Sequence, residues 1–138
     1  MSYREYSCEA VISNLDEVMA FIEDCLTEHG CPLKRQIQIN VAVDEIFANV
    51  VHYAYGKGTG PVTLRFEPLE NPAGAKITVI DSGIPFNPLA RKDPDLSGTS
   101  EERKIGGLGI FMVKKSMDSV DYEYSDGCNR FSITKYFD

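Results

Sequence analysis

Two spacings of apolar residues alternate along this chain, and they predict helices interleaved with strands. Between Asn14 and Gly30 apolar residues recur every three or four positions, which is the repeat of an amphipathic helix. Asn14 with Glu17 three residues later is typical of a helix-capping pair, and Gly30 before Cys31-Pro32 predicts the end of the helix. The apolar face of this first helix comprises Leu15, Val18, Phe21, Ile22, Cys25 and Leu26.

The rest of the chain contains two more helical segments, several strand-like segments and one irregular stretch. A second helix is predicted from about 34 to 55, and a third over 107–117, after the irregular stretch. Alternating apolar and polar residues predict strands at 2–8, 62–67, 76–81, 120–124 and 130–137. The order β-α-α-β-β-loop-α-β-β predicts an α/β (α+β) fold, a two-layer sandwich in one domain that spans residues 1–138.

Composition and charge narrow the classes of protein that this sequence can represent. The chain has 138 residues, 43% of them hydrophobic and 25% charged, as in an ordinary globular domain. No apolar run reaches the roughly 18–20 residues that span a bilayer, and the N-terminus lacks a signal-peptide apolar region, so we expect a cytoplasmic protein without a membrane span. A net charge of −7 argues against direct nucleic acid binding, which draws on Lys and Arg. The cysteines show no metal-ligand spacing and are expected to be reduced thiols.

The second helix carries a narrow polar stripe with apolar residues beside it. Glu45, Asn49 and His52 occupy positions i, i+4 and i+7, which lie on one side of a helix at 100° per residue. Because Ile37 and Val41 lie along the stripe, we expect it to face a lined cavity rather than open water. Alone, Glu45 and Asn49 also fit a solvated face with an i, i+4 hydrogen bond. As site residues, Asn49 offers a neutral oxygen that suits Mg²⁺, and Glu45 can orient or deprotonate a nucleophile.

Two further motifs follow this helix. In DSGIPF, Asp81 stands at the end of a hydrophobic strand, where it can accept a hydrogen bond from an exocyclic amine such as that of adenine, and Gly83 would let the ring approach the backbone. In KIGGLGI, glycines lead into a helix whose unpaired amides can bind phosphate. Singly, these motifs also fit a common turn and a flexible hinge. Their order, with 36 residues from Glu45 to Asp81 and 25 from there to Gly106, makes the set more specific.

The three motifs together carry a family resemblance. DEIFANVVHYAY, DSGIPF and GGLGI are similar to the conserved boxes of the Bergerat-type (GHKL) ATPases and kinases, the superfamily of gyrase, histidine kinases and MutL. The short chain, the His-Tyr-Ala-Tyr that follows Asn49 and the ending GGLGIFMVKKSMD look most like the bacterial anti-sigma factor serine kinases. The resemblance covers about residues 37–137 and implies a mixed, largely antiparallel sheet covered on one face by three helices.

The resemblance also implies roles for particular residues. Glu45 would act as catalytic base, Asn49 would coordinate Mg²⁺, and Asp81 would recognise the adenine amine of ATP. Gly83 and Phe86 would shape the adenine pocket. Further nucleotide contacts are expected from His52, Arg103, Lys104, Gly106, Gly107, Leu108 and Gly109. His52 also fits a hydrogen-bonded structural histidine.

A mobile segment and protein partners are implied as well. The ATP lid is expected over about 87–105, and its basic residues Arg103 and Lys104 are candidates to neutralise the γ-phosphate, although a basic lid also fits a solvated surface. The family phosphorylates a serine of an anti-sigma factor antagonist and binds its sigma factor as a homodimer. The last strand departs from the family's Gly-Thr-Thr pattern, with Cys128-Asn129 after the turn, so that Thr134 becomes the candidate for an adenine contact.

Two other functions remain open at this point. The chain could be a non-catalytic nucleotide-binding module that sequesters a partner, or the detached ATPase domain of a histidine kinase. The presence of both Glu45 and Asn49 favours an enzyme. The 36 residues before the motif helix are too few for the dimerising hairpin of a histidine kinase, which favours the serine kinase.

Overall fold

The computed structural model describes residues 2–90 and 108–138, with the backbone alone described at Leu108. Within these two ranges the chain forms five strands and three α-helices in the predicted order. They are β1 (Arg4–Glu9), α1 (Leu15–Glu28), α2 (Leu33–Tyr53), β2 (Pro61–Leu69), β3 (Gly74–Asp81), α3 (Leu108–Ser116), β4 (Ser119–Ser125) and β5 (Cys128–Tyr136). Most of the predicted lid lies outside the described residues.

The five strands form one sheet in the order β1-β2-β3-β5-β4, and every described pair of neighbours is antiparallel. Side chains alternate between the two faces of each strand, so each strand has one buried row. On β2 that row is Val62, Leu64 and Phe66. Asp81 and Asn129 are far apart in sequence. The pairing of β3 with β5 sets them opposite each other, at one end of these two strands.

The three helices cover one face of the sheet. Their buried residues include Val18, Ile22 and Leu26 from α1, Ile39, Val43 and Phe47 from α2, and Val113 from α3. Each fully buried side chain of this size contributes about 1.5–3 kcal/mol relative to an exposed one. The predicted two-layer α/β sandwich, with a largely antiparallel sheet under three helices, is confirmed.

The start of α1 differs from the expected capping arrangement. Asn14 precedes the helix but makes no side-chain cap; its Nδ2 donates to the Glu9 carbonyl oxygen at 2.9 Å. Glu17 accepts a hydrogen bond at 2.6 Å from the hydroxyl of Tyr6. The prediction of a capping pair was wrong because both side chains bond to β1 or to its end, contacts that the local sequence pattern does not contain.

The described residues form no disulfide, no three-residue metal-ligand group and no membrane-spanning helix. All four cysteines are free, and burial raises the pKa of the Cys8, Cys25 and Cys31 thiols, which favours their protonated form. Among residues 2–90 and 108–138, no group of three His, Cys, Asp or Glu side chains is placed to hold a metal ion. None of the described helices is long and apolar enough to cross a membrane.

Candidate functional site

A cleft opens between α2, the start of α3 and the end of the sheet where the last residue of β3 pairs with β5. The space between its walls, together with the adjoining open solvent, measures about 400 Å³. Most of its lining is apolar, and five of the described lining side chains carry a polar atom, two of them tyrosines. The lining residues are Ile46, Asn49, Val50, Tyr53, Ala54, Val79, Asp81, Phe86, Pro88, Ile110, Tyr122, Asn129 and Phe131. Such a shape suits a ligand with one flat face and a few polar atoms.

Asp81 ends β3 and points its carboxylate into this cleft. It is 6% exposed, and its Oδ1 accepts hydrogen bonds at 2.9 Å from the Gly83 amide and from Asn129 Nδ2. No described residue donates to Oδ2. Because both donors bind Oδ1, Oδ2 is the atom of this carboxylate that a ligand amine can reach.

Gly83 serves the site from the side that faces α2. A Cβ at this position would lie 2.1 Å from the carbonyl oxygen of Ala54, and the Ile84 amide donates to that same oxygen at 2.8 Å. We expected the missing side chain to admit a ligand ring. The space is instead filled by the C-terminal end of α2, so the glycine allows the turn after Asp81 to pack on the helix.

Tyr55 holds the same turn from its other side. Its hydroxyl donates to the Pro61 carbonyl oxygen at 2.6 Å and accepts from the Ser82 amide at 2.8 Å. Its ring occupies the space where Gly60 lacks a side chain, 2.5 Å from a Cβ built there. Burial raises the pKa of Tyr55, so the hydroxyl remains protonated and able to donate at neutral pH.

Asn129 is a residue of the cleft that the sequence patterns did not identify. The departure at Cys128-Asn129 was visible, but its partner Asp81 is found only through the register of β3 and β5. The expected substitute, Thr134, lies five residues further along β5 and therefore on the opposite face of the sheet. The expectation that Thr134 reaches an adenine in the cleft is wrong for this reason.

Phe86 lies in the cleft as expected. Its ring stacks on Tyr53, with 5.3 Å between ring centroids and 29° between planes. Pro88, the first residue of a short 3-10 helix, is buried beside it. These side chains form one apolar wall, next to the polar atoms of Asp81.

The polar stripe of α2 divides between three surroundings. Asn49 is half-buried and lines the cleft. Glu45 is also half-buried, but it lies in an adjoining apolar groove that Ile37 and Val41 line together with Met112 of α3. His52 is exposed and is not among the lining residues of either surface, so its expected nucleotide contact is not supported.

Glu45 lies where α2 meets the first turn of α3. A Cβ at Gly109 would lie 2.0 Å from Glu45 Oε2, so the glycine leaves room for the carboxylate. Partial burial, and after it the charge of Asp44, raise the pKa of Glu45. No described residue donates a hydrogen bond to this carboxylate or to the Asn49 side chain, and no i, i+4 bond joins the two.

The predicted phosphate-binding segment is only partly described. Leu108 begins α3 and Gly109 follows it in the first turn. Arg103, Lys104, Gly106 and Gly107 lie outside the described residues. The described part therefore shows the end of the glycine run next to Glu45.

The antiparallel sheet under three helices, with an apolar cleft at the end of a central strand, defines an α/β sandwich with a candidate ligand site. The sequence profile of the histidine kinase-like ATPase domain matches residues 8–135. This chain belongs to the histidine kinase-like ATPase domain family.

Relatives and solved structures agree with this assignment. A serine-protein kinase RsbW of Listeria monocytogenes is 31% identical over 103 residues, 71% of this chain and 64% of the relative. This chain thus spans less than two thirds of the length of that kinase. The structure of the RsbU and RsbW domains of a Mycobacterium tuberculosis protein shares the fold, with a TM-score of 0.67 at 16% identity over 98% of this chain and 32% of that one. A chain in the structure of the SiaB-SiaC complex from Pseudomonas aeruginosa also shares the fold. Its TM-score is 0.62, at 15% identity over 96% of this chain and 89% of that one.

Proposed function

We propose that this chain is an ATP-dependent protein serine kinase of the anti-sigma factor type. The observation that carries the proposal is the arrangement around α2, where Asn49 and Asp81 share one apolar cleft and Glu45 lies beside it. The three side chains come from two motifs that are distant in sequence. Family membership and the serine-protein kinase named above support the same reading.

The cleft residues fit the base of ATP. Asp81 Oδ2 is an acceptor without a donor among the described residues, which suits the 6-amino group of adenine. Phe86 and Tyr53 offer aromatic surface against which a flat ring can pack. Asp81, Phe86 and Tyr53 would thus hold the adenine ring at the end of β3.

The residues beside α2 fit a triphosphate with Mg²⁺. Asn49 carries a neutral side-chain oxygen that no described residue binds, and such an oxygen is a suitable ligand for this hard cation. When bound, Mg²⁺ would neutralise charge on the phosphate oxygens. The glycine run before α3 would supply backbone amides to the phosphates, and Arg103 and Lys104 would supply positive charge.

Glu45 is the proposed general base. Its raised pKa makes the carboxylate a better proton acceptor than an exposed glutamate. It would accept the proton of the substrate serine while the serine oxygen bonds to the γ-phosphorus of ATP. The bond between the γ-phosphorus and the β-γ bridging oxygen breaks, and ADP leaves. The missing side chain of Gly109 leaves the space that this carboxylate occupies.

The partners and the assembly belong to the same proposal. The substrate would be a serine of an anti-sigma factor antagonist, and the chain would bind a sigma factor as a homodimer, in the cytoplasm, when the antagonist is unavailable. The lid over 87–105 would close on the nucleotide, and the 138 residues would form one domain. The family resemblance supports these statements, which extend beyond the matched part of the relatives.

Transfer of labelled γ-phosphate to a candidate antagonist from the same genome tests the function. With ATP and Mg²⁺ we expect an acid-stable phosphoserine on the antagonist. In Glu45→Ala we expect the transfer rate to fall by about 100-fold or more. Ser132→Ala is the control, because Ser132 bonds Thr78 on the far face of the sheet.

Two results would contradict the serine kinase, and a third would contradict only the role of Glu45. ATP binding without transfer would favour the sequestering module. An acid-labile phosphohistidine would favour the histidine kinase ATPase domain. Transfer that is unchanged in Glu45→Ala would remove the proposed base.

A further inference from the structure

The side chain of Asn129 makes four hydrogen bonds to four different residues around the cleft. Nδ2 donates at 2.9 Å to Asp81 Oδ1 and at 2.9 Å to the Ile84 carbonyl oxygen. Oδ1 accepts from the Phe86 amide at 3.1 Å and from the hydroxyl of Tyr122. These bonds join β4, β5, the end of β3 and the turn that follows it.

The hydrogen-bonding capacity of this amide is fully used. A primary amide has two donor hydrogens and two acceptor lone pairs, and each has a partner here. The residue is also 5% exposed. A direct polar contact from Asn129 to a ligand would therefore require one of these bonds to break, so its effect on a ligand passes through the groups it holds.

Two of the groups that Asn129 holds, Asp81 and Phe86, line the part of the cleft where we propose that adenine binds. The bond to Asp81 occupies Oδ1, and this leaves Oδ2 as the carboxylate atom that a ligand amine can reach. The bond from the Phe86 amide fixes the backbone that carries one aromatic wall of the cleft. A carboxylate held at one oxygen keeps the direction of the other.

We infer that Asn129 is a positioning residue for base selection, which rests on the proposed ATP site. It orients Asp81 so that the carboxylate alone reads the 6-amino group, with no polar contact to the base from the Asn129 side chain. A base that carries an acceptor at this position would meet the carboxylate acceptor and be repelled.

Binding of three probes separates this role from a general effect on the fold. ATP, purine riboside triphosphate, which lacks the 6-amino group, and tripolyphosphate are titrated by calorimetry in the presence of Mg²⁺. In Asn129→Leu we expect ATP to bind about 10- to 100-fold more weakly, with tripolyphosphate unchanged, because a hydrogen bond to a charged group has been removed. The preference of ATP over purine riboside triphosphate should fall by a similar factor.

A second variant and a matched control accompany the first. Tyr122→Phe removes one donor to Asn129 Oδ1, and we expect the same preference to fall by about two- to five-fold. This variant decides the question if Asn129→Leu does not fold. Ser132→Ala removes a bond between the same two strands, to Thr78 on the opposite face, and should leave the preference unchanged.

The outcomes distinguish the two proposals. If the wild-type chain binds no ATP, both the ATP site and this inference are overturned. If it binds ATP with a preference over purine riboside triphosphate, and the folded variants keep that preference, only the role of Asn129 is overturned. Equal weakening of all three probes would show a merely structural role and would overturn it as well.

Discussion

The two sides of α2 hold acidic groups in different ways. On the side of the cleft, Asp81 is nearly fully buried, and two donors bind one of its oxygens. On the side of the adjoining groove, Glu45 is half-buried among apolar residues, and no described residue donates to it. The Asp81 carboxylate, which we propose binds adenine, is thus oriented by two hydrogen bonds, whereas the Glu45 carboxylate, our proposed general base, has no donor among the described residues.

This difference agrees with the two roles that we propose for these carboxylates. A group that selects a ligand needs one fixed direction, which hydrogen bonds from neighbouring strands supply. A general base needs proton affinity, and unpaired partial burial raises the pKa of Glu45. The second arrangement destabilises the folded chain, because a charged carboxylate is moved partly out of water without a donor.

The largest expected effect is a loss of transfer rate in Glu45→Gln. The amide keeps the shape of the side chain but cannot accept a proton in the same way, so we expect transfer to fall by about 10²- to 10⁴-fold. The dissociation constant of ATP should change by less than about three-fold, because the residues proposed to bind adenine are unchanged. Single-turnover transfer and calorimetry measure the two quantities.

The same variant tests the cost of the unpaired carboxylate. Because the pKa of Glu45 is raised in the folded chain, its contribution to stability is full at acidic pH and is lost as pH rises through that raised pKa. Glu45→Gln should therefore melt higher than wild type at neutral pH, without nucleotide, and the difference should shrink on acidification. Glu23→Gln, an exposed residue of α1, is the charge-matched control. A lower Tm for Glu45→Gln would contradict the comparison.

The next effect is a loss of ATP binding in Asp81→Asn. One oxygen of the new amide can still accept from Gly83 and Asn129, but a donor NH₂ then faces the adenine amine. We expect ATP to bind about 100-fold more weakly, measured by calorimetry. Asp121→Asn, which changes the same charge on an exposed residue of β4, should bind as wild type does. If Asp81→Asn bound ATP as tightly as the wild type does, adenine would have to bind at a different place.

Much of this arrangement could be predicted from local sequence, and the exceptions share a cause. The helical repeat predicted α2 with Glu45 and Asn49 on one side, and the strand pattern predicted Asp81 at a strand end. Asn129 was missed because its role depends on the pairing of two strands 48 positions apart. A register of that kind is a tertiary fact, and no short pattern contains it.

The two described glycines of the motifs illustrate the same limit. Their lack of a side chain was visible, and we related it to close approach of a ligand. What fills the space is a backbone carbonyl at Gly83 and the Glu45 carboxylate at Gly109. A glycine in a motif indicates close packing, but the identity of the neighbour follows only from the folded chain.

A third variant tests how the turn after Asp81 packs against the end of α2. Gly83→Ala would place a methyl group 2.1 Å from a backbone oxygen, which cannot move as a side-chain end does. We expect a loss of about 1–3 kcal/mol in the free energy of unfolding, measured with urea, and weaker ATP binding because the Asp81 turn shifts. Gly58→Ala is the control, since the nearest atom lies at 3.7 Å. Equal stability of the two variants would show that the turn is less rigid than its packing implies.

The smallest effect is expected for Tyr55→Phe, which leaves every carboxylate in place. The variant removes the bonds to Pro61 and Ser82 but keeps the ring against Gly60, so unfolding should become about 1 kcal/mol easier. Tyr124→Phe is the control, because that hydroxyl has no hydrogen-bond partner among the described residues and the residue is 46% exposed. Because Ser82 adjoins Asp81, ATP affinity should fall slightly while the transfer rate at saturating ATP stays constant. A fall in that rate without a fall in affinity would mean that the two sides of α2 are coupled, and the contrast between them would need revision.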